Sequence, residues 1–441
     1  MRISSTMMSN NYLKQLNGTY EQYSKLMEQA DGSKLHRASD NAVGYSKYLR
    51  YQNNQISNEQ YQSNVSTASS WMKNADAALV NVTDLLQTFK AKVEQGADST
   101  NNESDMKDIA KELLANVQEQ VADLNTQIGD RFLFAGQKDT TMPFEISADK
   151  MDRGDTFTLD EKQSAFFSGA TGWGKENTTV KQMLKLKGDD GNSYYMNVNT
   201  GDVYTEDFVK NGYKNEDKFD PAKQRVGNIT AITDPPTAYK VSDHFDQYGV
   251  IKTDTGVGTN AKYNVTVDGK QVNLKLSTTK QYIVKYAGDD KYISMVKKNG
   301  GVDKATDTVN VTGQDINGCD LFDVGNDPHS GTARLNQLLY TVAKLDGADY
   351  KWAGEQGMTI ADSAHATVLG AQTKMAARQQ AYNSSSSMLV TQNESITSDI
   401  SDVSSTDVAQ LATKLMEYQT IYSLSLSVGS KILPGTLADY L

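Results

Sequence analysis

One cysteine, six prolines and four histidines among 441 residues leave several chemistries without material. Cys319 has no second thiol, which excludes intramolecular disulfides, and no histidine or thiol spacing offers it a zinc site; it reads as a small residue of a strand or loop. His36, His244, His329 and His365 stand far apart and make no HExxH pair, and Walker, GxGxxG and GxSxG motifs are missing. Asp315, Asp320, Asp323 and Asp327, with Asn317 and Asn326, fail the EF-hand order for want of a terminal Glu, so they read as a solvated acidic loop. Trp71, Trp173 and Trp352 are too dispersed for an aromatic platform and suit packing. No catalytic residue, metal or cofactor is expected. Net charge is −11 and no polybasic block occurs, which argues against nucleic acid and anionic membrane as partners. No 18-residue apolar run is present and the first eleven residues lack an apolar core, so the expectation is a soluble chain without a Sec signal.

Length allows two or three domains of roughly 100 to 200 residues. Hydrophobic residues make up 38% and mean hydropathy is −0.58, which suits helices that keep apolar stripes for neighbours better than one compact globule. Prolines fall at 143, 221, 235, 236, 328 and 434, so residues 1–142 and 329–433 contain almost no helix breaker. Leu13, Leu16, Tyr20, Tyr23, Met27 and Ala30 form a stripe that stops at the turn signal Asp31-Gly32. Tyr61, Val65, Ala68, Met72, Ala75, Leu79, Val82, Leu86, Phe89 and Val93 alternate steps of four and three, a coiled-coil seam of more than four heptads. Beyond a polar loop at residues 98–102, Met106, Ile109, Leu113, Val117, Val121, Leu124 and Ile128 predict a third helix, antiparallel to the second and ended by Gly129.

At the other end Val408, Leu411, Leu415, Tyr418, Tyr422, Ser425, Gly429 and Ile432 step likewise, and helical composition reaches back to Met358. Unbroken, that helix would be on the order of 110 Å long at 1.5 Å per residue. Gly370 and residues 384–387, all serine, mark where a bend is expected. The middle differs. Asp268-Gly269 between Tyr263-Asn264-Val265-Thr266-Val267 and Val272-Asn273-Leu274-Lys275-Leu276 predicts a hairpin, and Tyr282-Ile283-Val284-Lys285-Tyr286 and Tyr292-Ile293-Ser294-Met295-Val296 predict two more strands. The fold class is therefore α+β: a long antiparallel helical bundle or coiled coil built from both chain ends, carrying a β-rich central insert. Divided by proline placement and pattern, residues 1–44 form a terminal helix and turn, 45–139 and 329–400 the two halves of the bundle, 140–328 the exposed insert, and 401–441 the other terminal helix. Periodicity alone implies an assembly protein, since stripes this long at the two extremes need partner helices.

Several stretches resemble the bacterial flagellins and their junction proteins. Leu35-His36-Arg37-Ala38-Ser39-Asp40-Asn41-Ala42-Val43-Gly44 is similar to that family's turn before the second helix, with Ser39 and Asp40 as N-cap candidates and Ala42 where the family often has proline. Asn74-Ala75-Asp76-Ala77-Ala78-Leu79 resembles part of that second helix. Asn125-Thr126-Gln127-Ile128-Gly129-Asp130-Arg131-Phe132-Leu133-Phe134-Ala135-Gly136, followed by Pro143-Phe144, and the final Gly435-Thr436-Leu437-Ala438-Asp439-Tyr440-Leu441 look more like hook-associated junction members than filament flagellins. The resemblance covers about the first 145 and last 110 residues and implies an extracellular structural subunit, exported unfolded through the flagellar secretion channel. It further implies partners: copies of itself in a ring or helical layer, a hook-side junction protein, flagellin and an export chaperone. On that footing Leu13, Leu16, Tyr20, Tyr23 and Met27 are expected to meet Val408, Leu411, Leu415, Tyr418, Tyr422 and Ile432 within and between subunits, with Ser425 and Gly429 either permitting close approach or lying indifferently on the surface. A filament-forming flagellin and an extracellular adhesin or enzyme acting through the insert stay open as alternatives.

Overall fold

The computed structural model describes residues 5–39, 41–167, 182–197, 201–211, 225–228, 262–293, 308–318 and 332–432. Cys319, Trp173, His244, His329, Asp320, Asp323, Asp327, Asn326 and Asp40 lie outside them. The chain divides into two compact units, residues 67–382 and residues 1–66 with 383–441.

In the first unit, the later part of α2 (Ala42–Gly96), α3 (Glu103–Leu124), α7 (Ala333–Asp346) and the earlier part of α9 (Met358–Ser404) enclose a helical core. Met72, Leu79, Val82, Leu86, Phe89 and Val93 are all fully buried, as the alternation of threes and fours demands. α2 and α3 are antiparallel: Asn116 Nδ2 donates to the Leu85 carbonyl at 3.0 Å and Lys92 pairs with Glu112 at 2.6 Å. Asn102 opens α3 with a capping box, its side chain accepting from the Ser104 and Asp105 amides. The helix ends at Leu124, not at Gly129, because Asn125 leaves the helical region and spends its side chain on both backbone groups of Phe144. Ile128 is consequently in β1 (Gln127–Ile128), paired with β2 (Arg131–Phe132).

The insert is built on a seven-stranded antiparallel sheet. Its path is β10 (Lys262–Val267), β11 (Lys270–Leu276), β6 (Gln182–Gly188), β7 (Ser193–Met196), β8 (Asp202–Thr205) and β9 (Gly227–Asn228), with β5 (Thr156–Thr158) also on β6. The hairpin turn has Asp268 at φ 50° and Gly269 at φ 80°, the two positive values a type I′ turn requires. One face packs Leu184, Leu186, Tyr194, Met196, Val203 and Leu274; the other carries an aromatic cluster of Phe157, Phe167, Tyr195 and Tyr204, against α4 (Glu161–Phe167) and α5 (Glu206–Asn211). Two short pairs join the sheet to the helices: β4 (Met151–Gly154) with β12 (Thr278–Gln281), and β3 (Phe144–Ile146) with β13 (Val284–Tyr286). Tyr292 and Ile293, expected to begin a strand, are not in one, and Ser294, Met295 and Val296 lie outside the described residues; the Ile293 amide donates to the Asn310 side chain at 2.7 Å. Among the described residues, no group of acids, histidines or cysteines has the arrangement of a metal site, and Asp315 is occupied in the capping box of α6 (Gly313–Asn317).

Four tyrosine hydroxyls of this unit are held protonated. Burial is the first cause in each, pushing Tyr194 up to about 12 and Tyr195, Tyr286 and Tyr292 further, with Asp190, Glu206, Asp289 and Asp315 respectively adding to it. Each folded value lies above the ordinary 10, so the stabilisation is complete below pH 10 and is lost as pH climbs past 12. Alkaline unfolding followed by circular dichroism should therefore coincide with the appearance of phenolate absorbance from these tyrosines. Phenolate absorbance complete near pH 10 with the fold intact would contradict this.

In the second unit, α1 (Ser5–Glu28), a 3-10 turn at Gln29–Asp31, the start of α2, the end of α9 and α10 (Val408–Ile432) come together. α9 runs through Gly370 and residues 384–387 without interruption. Helical serine costs only about 0.5 kcal/mol, and Ser387 Oγ donates back to the Asn383 carbonyl at 3.2 Å. The break falls instead at residues 405–407, where Asp407 caps α10 by accepting from the Ala409 and Gln410 amides, both at 3.0 Å.

Candidate assembly surface

α1 and α10 lie antiparallel. Tyr12 Oη donates to the Ser425 carbonyl at 2.7 Å, the Tyr20 and Tyr422 rings stand 5.8 Å apart, and Ser33 bridges Ser405 beyond the helix ends. The Lys34 amide donates to the Ser404 carbonyl at 2.7 Å and the Thr406 amide to the Gly32 carbonyl at 3.0 Å, closing that end of the pair. Gly429 is the close-approach position: a Cβ there would sit 2.6 Å from Tyr12 Cζ, and on the hydroxyl itself. Gly429→Ala is expected to displace the Tyr12 ring, break its bond to Ser425 and cost about 1–3 kcal/mol, read as a lowered urea midpoint for this unit. An unchanged midpoint would make Gly429 an indifferent position.

The expected interface residues divide by exposure. Leu411 is buried and Leu16, Tyr23, Leu415, Tyr418 and Tyr422 are half-buried, along the face where the two helices meet. Leu13, Tyr20, Met27 and Val408 are exposed, at 43, 56, 51 and 68%. Ile432 closes α10, and its side chain is outside what is described. A second set on α10 escaped the periodicity argument: Met416, Ile421, Leu424, Leu426 and Val428, all exposed, Met416 at 68% and Leu424 at 60%. Met7 and Met8 join them from α1. Apart from Val80, Met142 and Leu369, every large hydrophobic side chain exposed among the described residues belongs to this unit. A helix apolar on more than one side is one that expects cover on more than one side.

The two motif stretches are structural. Asn41, rather than Ser39, caps α2: its Oδ1 accepts from the Gly44 amide at 2.9 Å and its carbonyl from Tyr45. Asn41 immediately precedes the first helical residue, from which its short amide side chain reaches that N–H; Ser39 lies two residues too early. Arg37 pairs with Glu28 at 2.8 Å on the surface. Phe132, Leu133 and Phe134 are buried, and Gly136 has φ 70° with the Asp289 backbone where a Cβ would be, so only glycine fits. The Phe134 carbonyl accepts from Tyr286 Oη at 2.9 Å and from the Gly313 amide at 3.1 Å, clasping this turn to the root of the insert.

Residues 3–139 match the bacterial flagellin N-terminal helical region. The flagellins of Salmonella montevideo and Salmonella moscow are 26% and 25% identical to the chain over 302 residues, covering 59% of it. The chain spans 58% of the length of these relatives. Among solved structures, one described as a flagellar hook-associated protein of Vibrio parahaemolyticus superposes with a TM-score of 0.41 at 14% identity, over 83% of this chain and 100% of that one. The flagellar junction protein FlgL of Legionella pneumophila gives 0.33 at 12% identity, over 76% and 98%. No helix among the described residues is long and apolar enough to cross a membrane.

Proposed function

We propose that this chain, whose residues 3–139 match the bacterial flagellin N-terminal helical region, is a non-enzymatic structural subunit of the bacterial flagellum that polymerises through α1 and α10. The observation that carries the reading is the concentration of exposed apolar side chains on the unit formed by the two chain ends. Burying them at roughly 25 cal/mol per Å² is the favourable term that offsets ordering of the subunits in a layer. Residues 1–44 and 401–441 are the assembly regions, and residues 140–328 form the exposed insert.

Within that role the reading is the junction between hook and filament, with a hook-side junction protein below, flagellin above and copies of itself in the same ring or helical layer. The Phe132-Leu133-Phe134-Ala135-Gly136 turn supports it over a filament subunit. The filament reading is favoured by the Salmonella flagellins, and long tubes grown from purified protein alone would select it. The subunit leaves the cell unfolded through the flagellar secretion channel with an export chaperone holding its terminal regions, and works outside the cell. Electron microscopy of a deletion strain, with an antibody to the insert applied to wild-type cells, tests this. Hooks without filaments and a narrow band of label at the hook tip are expected; label along the filament makes it a flagellin, and normal flagella without label overturn the structural role.

A further inference from the structure

Where α3, α7 and β12 meet, a side-chain amide is buried with both its polar atoms unpaired. Gln281 is the last residue of β12, a strand that packs against α7, and it is 1% exposed. Neither its Oε1 nor its Nε2 makes a hydrogen bond to any described residue. Turning the amide over exchanges the two atoms and satisfies neither, so the unmet donor and acceptor belong to the position and not to one orientation of the side chain. Buried side-chain polar atoms in native proteins are paired in the large majority, which makes a donor and an acceptor left together at one residue a pointer to a ligand.

Gln281 borders a cavity of about 220 Å³ whose other walls are largely apolar, with Leu114 from α3 and Leu339 and Val342 from α7. The charged residues around it are already engaged or turned away. Lys111 pairs with Asp108 at 2.8 Å and Lys150 with Asp346 at 2.9 Å, while Lys280, exposed and next to Gln281 along the strand, faces the opposite side. The wall therefore does not select a charged ligand. A carboxylate could answer only Nε2 and an ammonium only Oε1, whereas a neutral group with an N–H and a carbonyl side by side answers both at once. Water suits the space less well: at roughly 30 Å³ each, about seven molecules would fill it, and each needs two to four polar partners that apolar walls do not supply.

We infer that this cavity binds a small neutral molecule with a cis-amide edge, a lactam or a primary carboxamide, whose N–H donates to Gln281 Oε1 and whose carbonyl accepts from Nε2 while its hydrocarbon part lies against Leu114, Leu339 and Val342. Isothermal titration of the full chain with δ-valerolactam should show saturable binding in the millimolar range. N-methyl-δ-valerolactam keeps the ring and the carbonyl but has no N–H, leaves Oε1 unpaired, and should bind at least about tenfold more weakly. Gln281→Leu, which keeps a side chain of similar bulk in the wall, should abolish the heat of δ-valerolactam binding. Should that variant fail to fold, the comparison of the two lactams on the unchanged protein carries the test alone. No saturable heat from δ-valerolactam overturns the site and leaves a cavity that holds only water. Equal affinity for the two lactams, or undiminished binding in folded Gln281→Leu, overturns it too, since the amide is then not read. None of these readouts depends on polymerisation, so the result stands apart from the flagellar role.

Discussion

Cells whose only copy carries Met416→Asp and Leu424→Asp should build hooks without filaments, while the purified variant unfolds at the same temperature as the unchanged protein. Both side chains are more than half exposed in the single chain, so their loss removes no packing from the monomer. In an assembly that covers them, each contributes about 1.5–3 kcal/mol of burial, and losing both weakens each subunit contact by two to four orders of magnitude. The introduced carboxylates add desolvation on top. Leu415→Asp with Tyr422→Asp would abolish incorporation too, but for a mixed reason, since both residues are half-buried and Tyr422 stands against Tyr20 within the chain. The outer pair separates assembly from folding. Normal filaments from the Met416 and Leu424 variant would mean that α10 polymerises, if at all, through another face.

Why the seam was readable and the outer face was not follows from what periodicity reports. Steps of three and four find the line along which one helix meets one other, and they placed Met72, Leu79, Leu86, Phe89 and Val93 in the core because α2 has a single such line there. α10 has apolar residues on two sides, and the regular line selects Leu411, Leu415, Tyr418 and Tyr422, the side that faces α1 within the same chain. The remaining apolar residues break the spacing and only exposure identifies them. Local turn chemistry was legible where one residue type can satisfy it, as at Asp268-Gly269, and misjudged where two could, as between Ser39 and Asn41, where reach to the Gly44 amide decides.

Buried charges were invisible for a different reason. Arg334 meets Gln120 across 214 residues of sequence and Lys344 meets Asp155 across 189, and nothing local to any of the four marks the pairing. The apolar residues of a buried helix such as α7 say nothing about which polar side chains go in with them. Ile128 failed similarly: its spacing continues the α3 stripe, but the demands of the Phe144 backbone on Asn125 end the helix first.

Lys344→Met should lower the stability of the unit that contains it by about 3–5 kcal/mol. Lys344 Nζ lies 3.3 Å from Asp155 Oδ2 and 3.6 Å from Asp349, with 11% of its side chain exposed and 8% of that of Asp155. Its ammonium also stands over the Tyr340 and Trp352 rings, 5.5 and 5.6 Å from their centroids. Methionine keeps the stem and the aromatic contacts, so what is lost is the charge, and Asp155 is left buried opposite none. Its other oxygen, Oδ1, already lacks a partner, so local opening of the β4–β5 strands is the available escape. Adding Asp155→Leu to Lys344→Met removes the stranded acid and should recover most of the loss, a coupling of several kcal/mol between two residues on opposite sides of the insert's root. Trp352 fluorescence reports the transition directly, because that ring lies edge-on to Tyr340 at 5.1 Å. If Lys344→Met costs less than about 1 kcal/mol, or if the second substitution deepens the loss, the pair is packing and not charge.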